Sequence, residues 1–131
     1  MPTISEIVKT LENWAHPSLQ ESYDNTGLIT GNAQWNCTGL LCALDATDEI
    51  IEEAIERNCN MVVAHRPILF RPIKKLTGNG YTERAIIKAI KNDIAIYAIH
   101  TNLDNVQNGV NSMIGEKLGL TNLSILSPKS G

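Results

Sequence analysis

Three apolar runs in this sequence end in residues able to do chemistry. Leu40 to Leu44 runs into Asp45, Met61 to Ala64 into His65-Arg66, and Ile94 to Ile99 into His100, with Asp104 shortly after. Imidazole and carboxylate side chains together suit a borderline divalent metal such as zinc, manganese or iron. An arginine beside them offers a bidentate fork to phosphate oxygens. Each residue also has an ordinary reading. Asp45 reads as a precap residue of the next helix, beside Thr47 and Asp48. His100 reads either as a histidine closing a strand or as an active one. Asp104, in Thr101-Asn-Leu-Asp104-Asn, reads as a turn residue making an Asx hydrogen bond or as a ligand. Arg66, Arg71, Lys74 and Lys75 form either a solvated basic loop or a patch for a phosphate-bearing small molecule. His65 is the hardest to set aside, because Asn or Ser would finish a strand at less cost.

The elements that position these residues follow from periodicity. Ile4, Ile7, Val8, Leu11 and Trp14 recur at helical spacing, so residues 4 to 15 are predicted helical, with Thr3 and Glu6 at capping-box spacing. His16-Pro17 stops that helix and makes His16 a surface turn residue. Residues 20 to 36 read as loop with a short strand at Gly27-Leu-Ile-Thr30. Ile50, Ile51, Ala54 and Ile55 predict a helix to about Asn58, and Ala85, Ile86, Ala89 and Ile90 one over residues 82 to 92. A further helix is expected from Val110 to Leu118, closed by Gly119, and a last strand at Leu123 to Leu126. Continuously apolar strands alternating with helices predict an α/β fold, a mostly parallel sheet covered by helices on both faces. Parallel strands end on one edge of such a sheet, where ligands bind. Asp45, His65, Arg66, His100 and Asp104 are thereby predicted to converge.

Composition narrows the function. With 131 residues, 43% of them hydrophobic, the chain suits one domain. A net charge of -3 and a single Phe disfavour direct nucleic-acid binding, which needs a basic face or stacking aromatics. The three cysteines, Cys37, Cys42 and Cys59, form no C-x-x-C pair and read as reduced core residues. The N-terminal stretch carries Glu6, Lys9 and Glu12, unlike a secretory signal, and no run approaches the ~18 apolar residues that cross a bilayer. A cytoplasmic protein without membrane contact is expected. Thr77-Gly-Asn-Gly80 lacks the Lys-Ser or Lys-Thr of a P-loop, and no G-x-S-x-G elbow is present.

Several segments resemble one family. Glu21-Ser-Tyr-Asp-Asn-Thr-Gly-Leu28, Ala64-His-Arg-Pro-Ile68 and Tyr97-Ala-Ile-His-Thr-Asn-Leu-Asp104, followed by Gly109-Val-Asn111, are similar to GTP cyclohydrolase 1 type 2 homologues. These are also called NIF-three-like dinuclear metal centre proteins. The resemblance implies α/β layers in an N-terminal and a C-terminal part, a two-metal site, and ring-like homo-oligomers, often hexamers. Carried over by position, it implies His65 and Asp104 as metal ligands and His100 as a site residue outside the ligand shell that carries or orients a proton. Arg66 stands where the family has a second ligand histidine. A guanidinium cannot ligate a metal, so Arg66 is expected to disable one metal position or to hold a phosphate or carboxylate in its place. Residues 1–131 would form a single domain matching the N-terminal part of longer family chains, without their closing His and Glu ligands. The resemblance thus implies a metal-dependent hydrolase-like protein whose dinuclear site is incomplete here and whose chain alone is inactive on GTP. The alternative is a non-catalytic interaction or assembly protein, with apolar surface left exposed.

Overall fold

The computed structural model describes residues 1–22, 24–69, 73–105 and 109–119. Arg71 and the expected strand at 123–126 lie outside the described residues.

Helix α1 spans Ile4–Trp14, and the Thr3 hydroxyl accepts from the Glu6 N–H at its start. A single 3-10 turn, Pro17–Leu19, begins at the proline, and His16 caps it through Nδ1, which accepts from the Ser18 N–H. Strand β1 is Gly27–Thr30 and β2 is Leu40–Asp45. Helix α2, Asp48–Glu56, is capped by Thr47 rather than by Asp45. Strand β3, Met61–Arg66, runs on through both polar residues at its end. Helix α3 is Tyr81–Lys91, β4 is Ala95–Ala98, α4 is the short Thr101–Asp104, and α5 is Val110–Lys117, with Gly119 beyond it at φ +75°.

The sheet order is β1-β4-β3-β2. β2, β3 and β4 are parallel, and β1 is added antiparallel to β4. The expected class is therefore found: an α/β fold with a mostly parallel sheet and helices on both faces. Alternation along the strands decides what each face buries. Val62, Ala64 and Ile96 pack under α2 and α3 with Ile51, Ala54, Ala85, Ile86 and Ala89. Met61, Val63, Ala95 and Tyr97 face the other way, onto α1 and α4, with Ile4, Ile99 and Leu103. Lys88 of α3 ties the first layer by reaching Asp48 and Glu52 of α2. Just after β1 the chain passes so close to β4 that a Cβ on Gly31 would lie 2.6 Å from that of Ala95, and Gly31 also has φ +106°. Glycine is the residue that fits there.

Two expectations about burial need correction. β2 is an edge strand, and its residues alternate between exposed and half-buried. Leu41 joins the α2/α3 core, but no β2 residue reaches the cluster under α1. Leu40, Cys42 and Leu44 are consequently exposed on that face, Leu44 to 59%. Cys42 is therefore not a core residue; Cys37 is, and Cys59 is half-buried. Ile90 also leaves the apolar face predicted for α3 and is exposed, because α2 covers only the stripe through Ala85, Ile86 and Ala89.

Candidate metal centre

β3 and β4 run side by side, with Ala64 opposite Ala98, so their ends bring His65 and His100 together. The backbone bond from the Ile99 N–H to the Ala64 carbonyl carries the pairing one step past β4. His65 is an odd-numbered strand residue and faces the α1/α4 side. Its Nδ1 donates to the Ile99 carbonyl at 2.8 Å. That bond fixes the tautomer, since a carbonyl can only accept, and it leaves the Nε2 lone pair toward Asp104.

His100 opens α4, its carbonyl accepting from the N–H groups of Leu103 and Asp104. One turn of helix then returns the Asp104 carboxylate to the histidines. His65 Nε2 stands 3.6 Å from Asp104 Oδ1. The two imidazole rings meet edge to face, with centroids 5.2 Å apart. One ligand-capable atom from each of His65, His100 and Asp104 lies within 4.8 Å of the other two.

These residues fit a divalent cation. Ligands about 2.0–2.1 Å from a tetrahedral ion lie about 3.3–3.4 Å from each other. The 3.6 Å gap between His65 and Asp104 is a few tenths wider than that and too long for a hydrogen bond. A histidine held through Nδ1 by a backbone carbonyl, with Nε2 presented, is also the usual arrangement of a metal-binding imidazole.

The support beneath the centre comes from the loop before β1. Asp24, with no side-chain exposure, meets His100 Nδ1 through Oδ1 at 3.1 Å. Its Oδ2 accepts from the Thr101 N–H at 2.9 Å and from the Thr101 hydroxyl. Burial by itself raises the Asp24 carboxyl, but the hydrogen bonds from Thr101, His100 and the Asn25 N–H outweigh it, and the group lies below the usual carboxylate range. Thr101 Oγ1 in turn accepts from the Glu21 N–H at 2.7 Å. Fully buried Asn102 accepts from the His100 N–H at 2.9 Å and donates to the Ala15 carbonyl at 2.9 Å. The turn carrying His100 and Asp104 is thus bolted to the end of α1 and to Glu21 and Asp24.

Of the residues singled out from sequence, His65, His100 and Asp104 come together. Arg66 does not join them. It points to the α2/α3 face, where its Nη2 lies 2.5 Å from Asp45 Oδ2, the two residues being direct partners in the β2–β3 register. Asp45 is therefore the partner of Arg66 and not a helix cap. The pair lines a cleft of about 330 Å³ with Pro67, Ile68, Tyr81 and Thr82. Lys74 and Lys75 are exposed. Asp104 lies in a helical turn, not an Asx turn. Sequence reasoning missed Asp24, Thr101 and Asn102 as supports. The pairing of Asp24 with His100 spans 76 positions, which no local spacing reveals.

Comparison with known proteins follows the same lines. A GTP cyclohydrolase 1 type 2 homolog of Clostridium acetobutylicum is 40% identical over 124 residues, 95% of this chain and 46% of that protein. One from Staphylococcus epidermidis is 41% identical over 127 residues, 97% of this chain and 34% of its own length. The chain thus spans a third to a half of these relatives. Among solved structures, a Bacillus cereus protein related to NIF3 superposes with a TM-score of 0.93 at 38% identity, covering 99% of this chain and 36% of that one. Reduced HcgD from Methanocaldococcus jannaschii gives 0.87 at 32% identity, covering 95% and 50%. No helix among the described residues is long and apolar enough to cross a membrane. Residues 2–131 match the family model described as Duf34/NIF3 (NGG1p interacting factor 3), and with identity at this level along nearly its whole length, the chain belongs to the DUF34/NIF3 family.

Proposed function

We propose that this chain holds a divalent cation, zinc, manganese or iron, between His65 and Asp104, and contributes that site to a metal-dependent hydrolase-like protein of the GTP cyclohydrolase 1 type 2 kind. The observation that carries this reading is the gap of 3.6 Å between His65 Nε2 and Asp104 Oδ1, with the His65 tautomer already set by the Ile99 carbonyl. A cation held there supplies Lewis-acid chemistry that makes water acidic enough to deprotonate near neutral pH. The residues of the chain divide the remaining work. His65 and Asp104 orient the cation. His100, whose Nδ1 faces Asp24, gives or takes a proton at Nε2. Arg66, beside the cleft that includes Tyr81 and Thr82, attracts the phosphate of a nucleotide or other phosphorylated small molecule.

The three ligand-capable side chains grouped among the described residues do not complete two metal sites, and the relatives are two to three times longer. The chain alone is accordingly expected to hydrolyse GTP no faster than buffer. The decisive experiment is metal content by mass spectrometry on protein purified without chelator, followed by zinc titration of the wild type, His65→Ala and Asp104→Ala. Near-stoichiometric zinc that both substitutions abolish supports the reading; zinc unaffected by either substitution refutes it.

A second reading, a cytoplasmic assembly or interaction protein that forms homo-oligomers, is favoured by the bare face of β2. Leu40, Cys42 and Leu44 stand there on one side of an edge strand, an invitation to association. Sedimentation velocity distinguishes it: concentration-dependent association abolished by Leu44→Lys supports assembly through this face, and a clean monomer at high concentration removes the case.

A further inference from the structure

His65 and His100 are both anchored through Nδ1, but by partners of different kinds. For His65 the anchor is a backbone carbonyl, built into the β3–β4 pairing. For His100 it is the side chain of Asp24, 76 positions away, brought in by the loop that precedes β1. A neutral imidazole carries one N–H, and its other nitrogen is then a lone pair; the partner of Nδ1 decides which is which. A carboxylate can only accept.

We propose that Asp24 is a positioning residue of the centre: it holds the proton of His100 on Nδ1 and thereby keeps the Nε2 lone pair for a cation or a transferred proton. The proposal rests on the metal-holding reading above and adds to it a residue outside the cluster of His65, His100 and Asp104.

The division of labour within the carboxylate supports a role beyond packing. Oδ2 takes both Thr101 donors, the N–H and the hydroxyl, while Oδ1 takes His100 and the exposed Asn25 N–H. The Thr101 donors need only an oxygen, which an amide supplies as well as a carboxylate. His100 is the contact that distinguishes the two. In Asp24→Asn the amide oxygen stays on Thr101, because the reverse orientation sets an NH₂ against two donors. The NH₂ then faces His100 Nδ1 and donates to it, and the imidazole proton must move to Nε2. The substitution is isosteric, retains both Thr101 bonds, and gives up only the exposed contact to Asn25. It therefore reverses the tautomer without emptying the site, as the same exchange does behind the histidine of a Ser-His-Asp triad.

The test is a long-range ¹H–¹⁵N spectrum of metal-free protein labelled at histidine, recorded at about pH 8.5, two units above the ordinary imidazole pKa of about 6.5. Wild type should show His100 protonated on Nδ1, and Asp24→Asn should show it protonated on Nε2. His65 should keep its Nδ1–H pattern in both, since Ile99 anchors it, and that signal reports whether the site remains folded. Wild-type His100 protonated on Nε2 overturns the proposal even if the variant fails to fold. A folded Asp24→Asn in which His100 keeps its proton on Nδ1 also overturns it while leaving the metal-holding reading intact. If wild type binds no zinc, that reading falls instead, and the tautomers alone decide for or against Asp24.

Discussion

Replacing Asn102 tests how firmly the candidate site is fastened to the fold. The side chain is fully buried and makes two hydrogen bonds, accepting from the His100 N–H and donating to the Ala15 carbonyl, each at 2.9 Å. Asn102→Ala removes both and leaves each partner unsatisfied. Ala15 is also fully buried, so its carbonyl bears a desolvation penalty of roughly 1–3 kcal/mol. The N–H of half-buried His100 is nearer water and belongs at the low end, about 1 kcal/mol. The expected loss is roughly 2–4 kcal/mol, a large share of the 5–15 kcal/mol typical of a domain. Asn102→Asp separates the two bonds. It keeps an acceptor for the His100 N–H but sets a carboxylate oxygen against the Ala15 carbonyl, both of them in fully buried residues. The buried carboxyl is held above its unfolded pKa of about 3.9. Its penalty is then complete above the folded pKa and disappears as pH falls through the unfolded one, where the protonated acid can donate to Ala15. Urea unfolding from neutral pH down to about pH 4 reads both variants. Asn102→Ala should lose a similar amount throughout, whereas Asn102→Asp should recover as the solution is acidified. A loss under about 1 kcal/mol for Asn102→Ala, or no pH dependence for Asn102→Asp, would refute the assigned bonds.

Other side chains give outcomes of different sign. The Tyr97 hydroxyl is buried without a partner among the described residues, and burial, reinforced by the charge of Glu12, pushes its pKa up to about 12. Tyr97→Phe should therefore be neutral or stabilising by up to about 1 kcal/mol in urea unfolding; a loss above about 2 kcal/mol would reveal a bond to the hydroxyl. Asp24 has a folded pKa below its unfolded value, so the stability it contributes is present above about pH 3.9 and is lost as pH falls through the lower folded pKa. Asp24→Asn should flatten the acid limb of the stability curve, and an unchanged limb would show that other carboxylates set it. In thiol labelling with an aromatic disulfide, Cys42 should react first and Cys37 last, because Cys37 is buried and its pKa is raised. Equal rates would contradict the open face of β2.

The strands and helices were legible because each is a run of one period. The apolar stretch before His100 is buried at every position from Ile94 to Ile99, as an internal parallel strand requires. β2 has the same composition but lies at the edge, and composition does not distinguish an edge strand from an internal one. That is why Cys42 was misplaced. His65, His100 and Asp104 were legible because the topology puts parallel strand ends on one edge. Their supports were not. Asp24 sits in an irregular loop, and what makes it important is a contact with a residue 76 positions away, just past the end of the neighbouring strand β4. Asn102 carries no titratable group, and its role lies in two backbone groups that the sequence does not mark as needing partners.

Arg66 illustrates how one position along a strand changes the chemistry available. His65 and Arg66 are neighbours, yet alternation sends the imidazole to the α1/α4 face and the guanidinium to the α2/α3 face. There Asp45 meets it, so the opposite face of the sheet carries an ion pair rather than a lone cation. The pair is about half exposed on both sides, 51% and 41%, and such pairs contribute at most about 1 kcal/mol. Arg66 therefore neither stabilises the fold appreciably nor opposes a metal at His65 and Asp104 with an uncompensated charge. Arg66→Ala should change unfolding stability by less than about 1 kcal/mol and zinc affinity by no more than about threefold. Phosphate or nucleotide binding at the cleft with Tyr81 and Thr82 should weaken by tenfold or more, on the order of one charge-assisted hydrogen bond. Titration of the wild type and Arg66→Ala with zinc and with GTP separates the two faces. If removing the guanidinium instead raises zinc affinity tenfold, its charge reaches the centre and the separation by strand alternation is wrong.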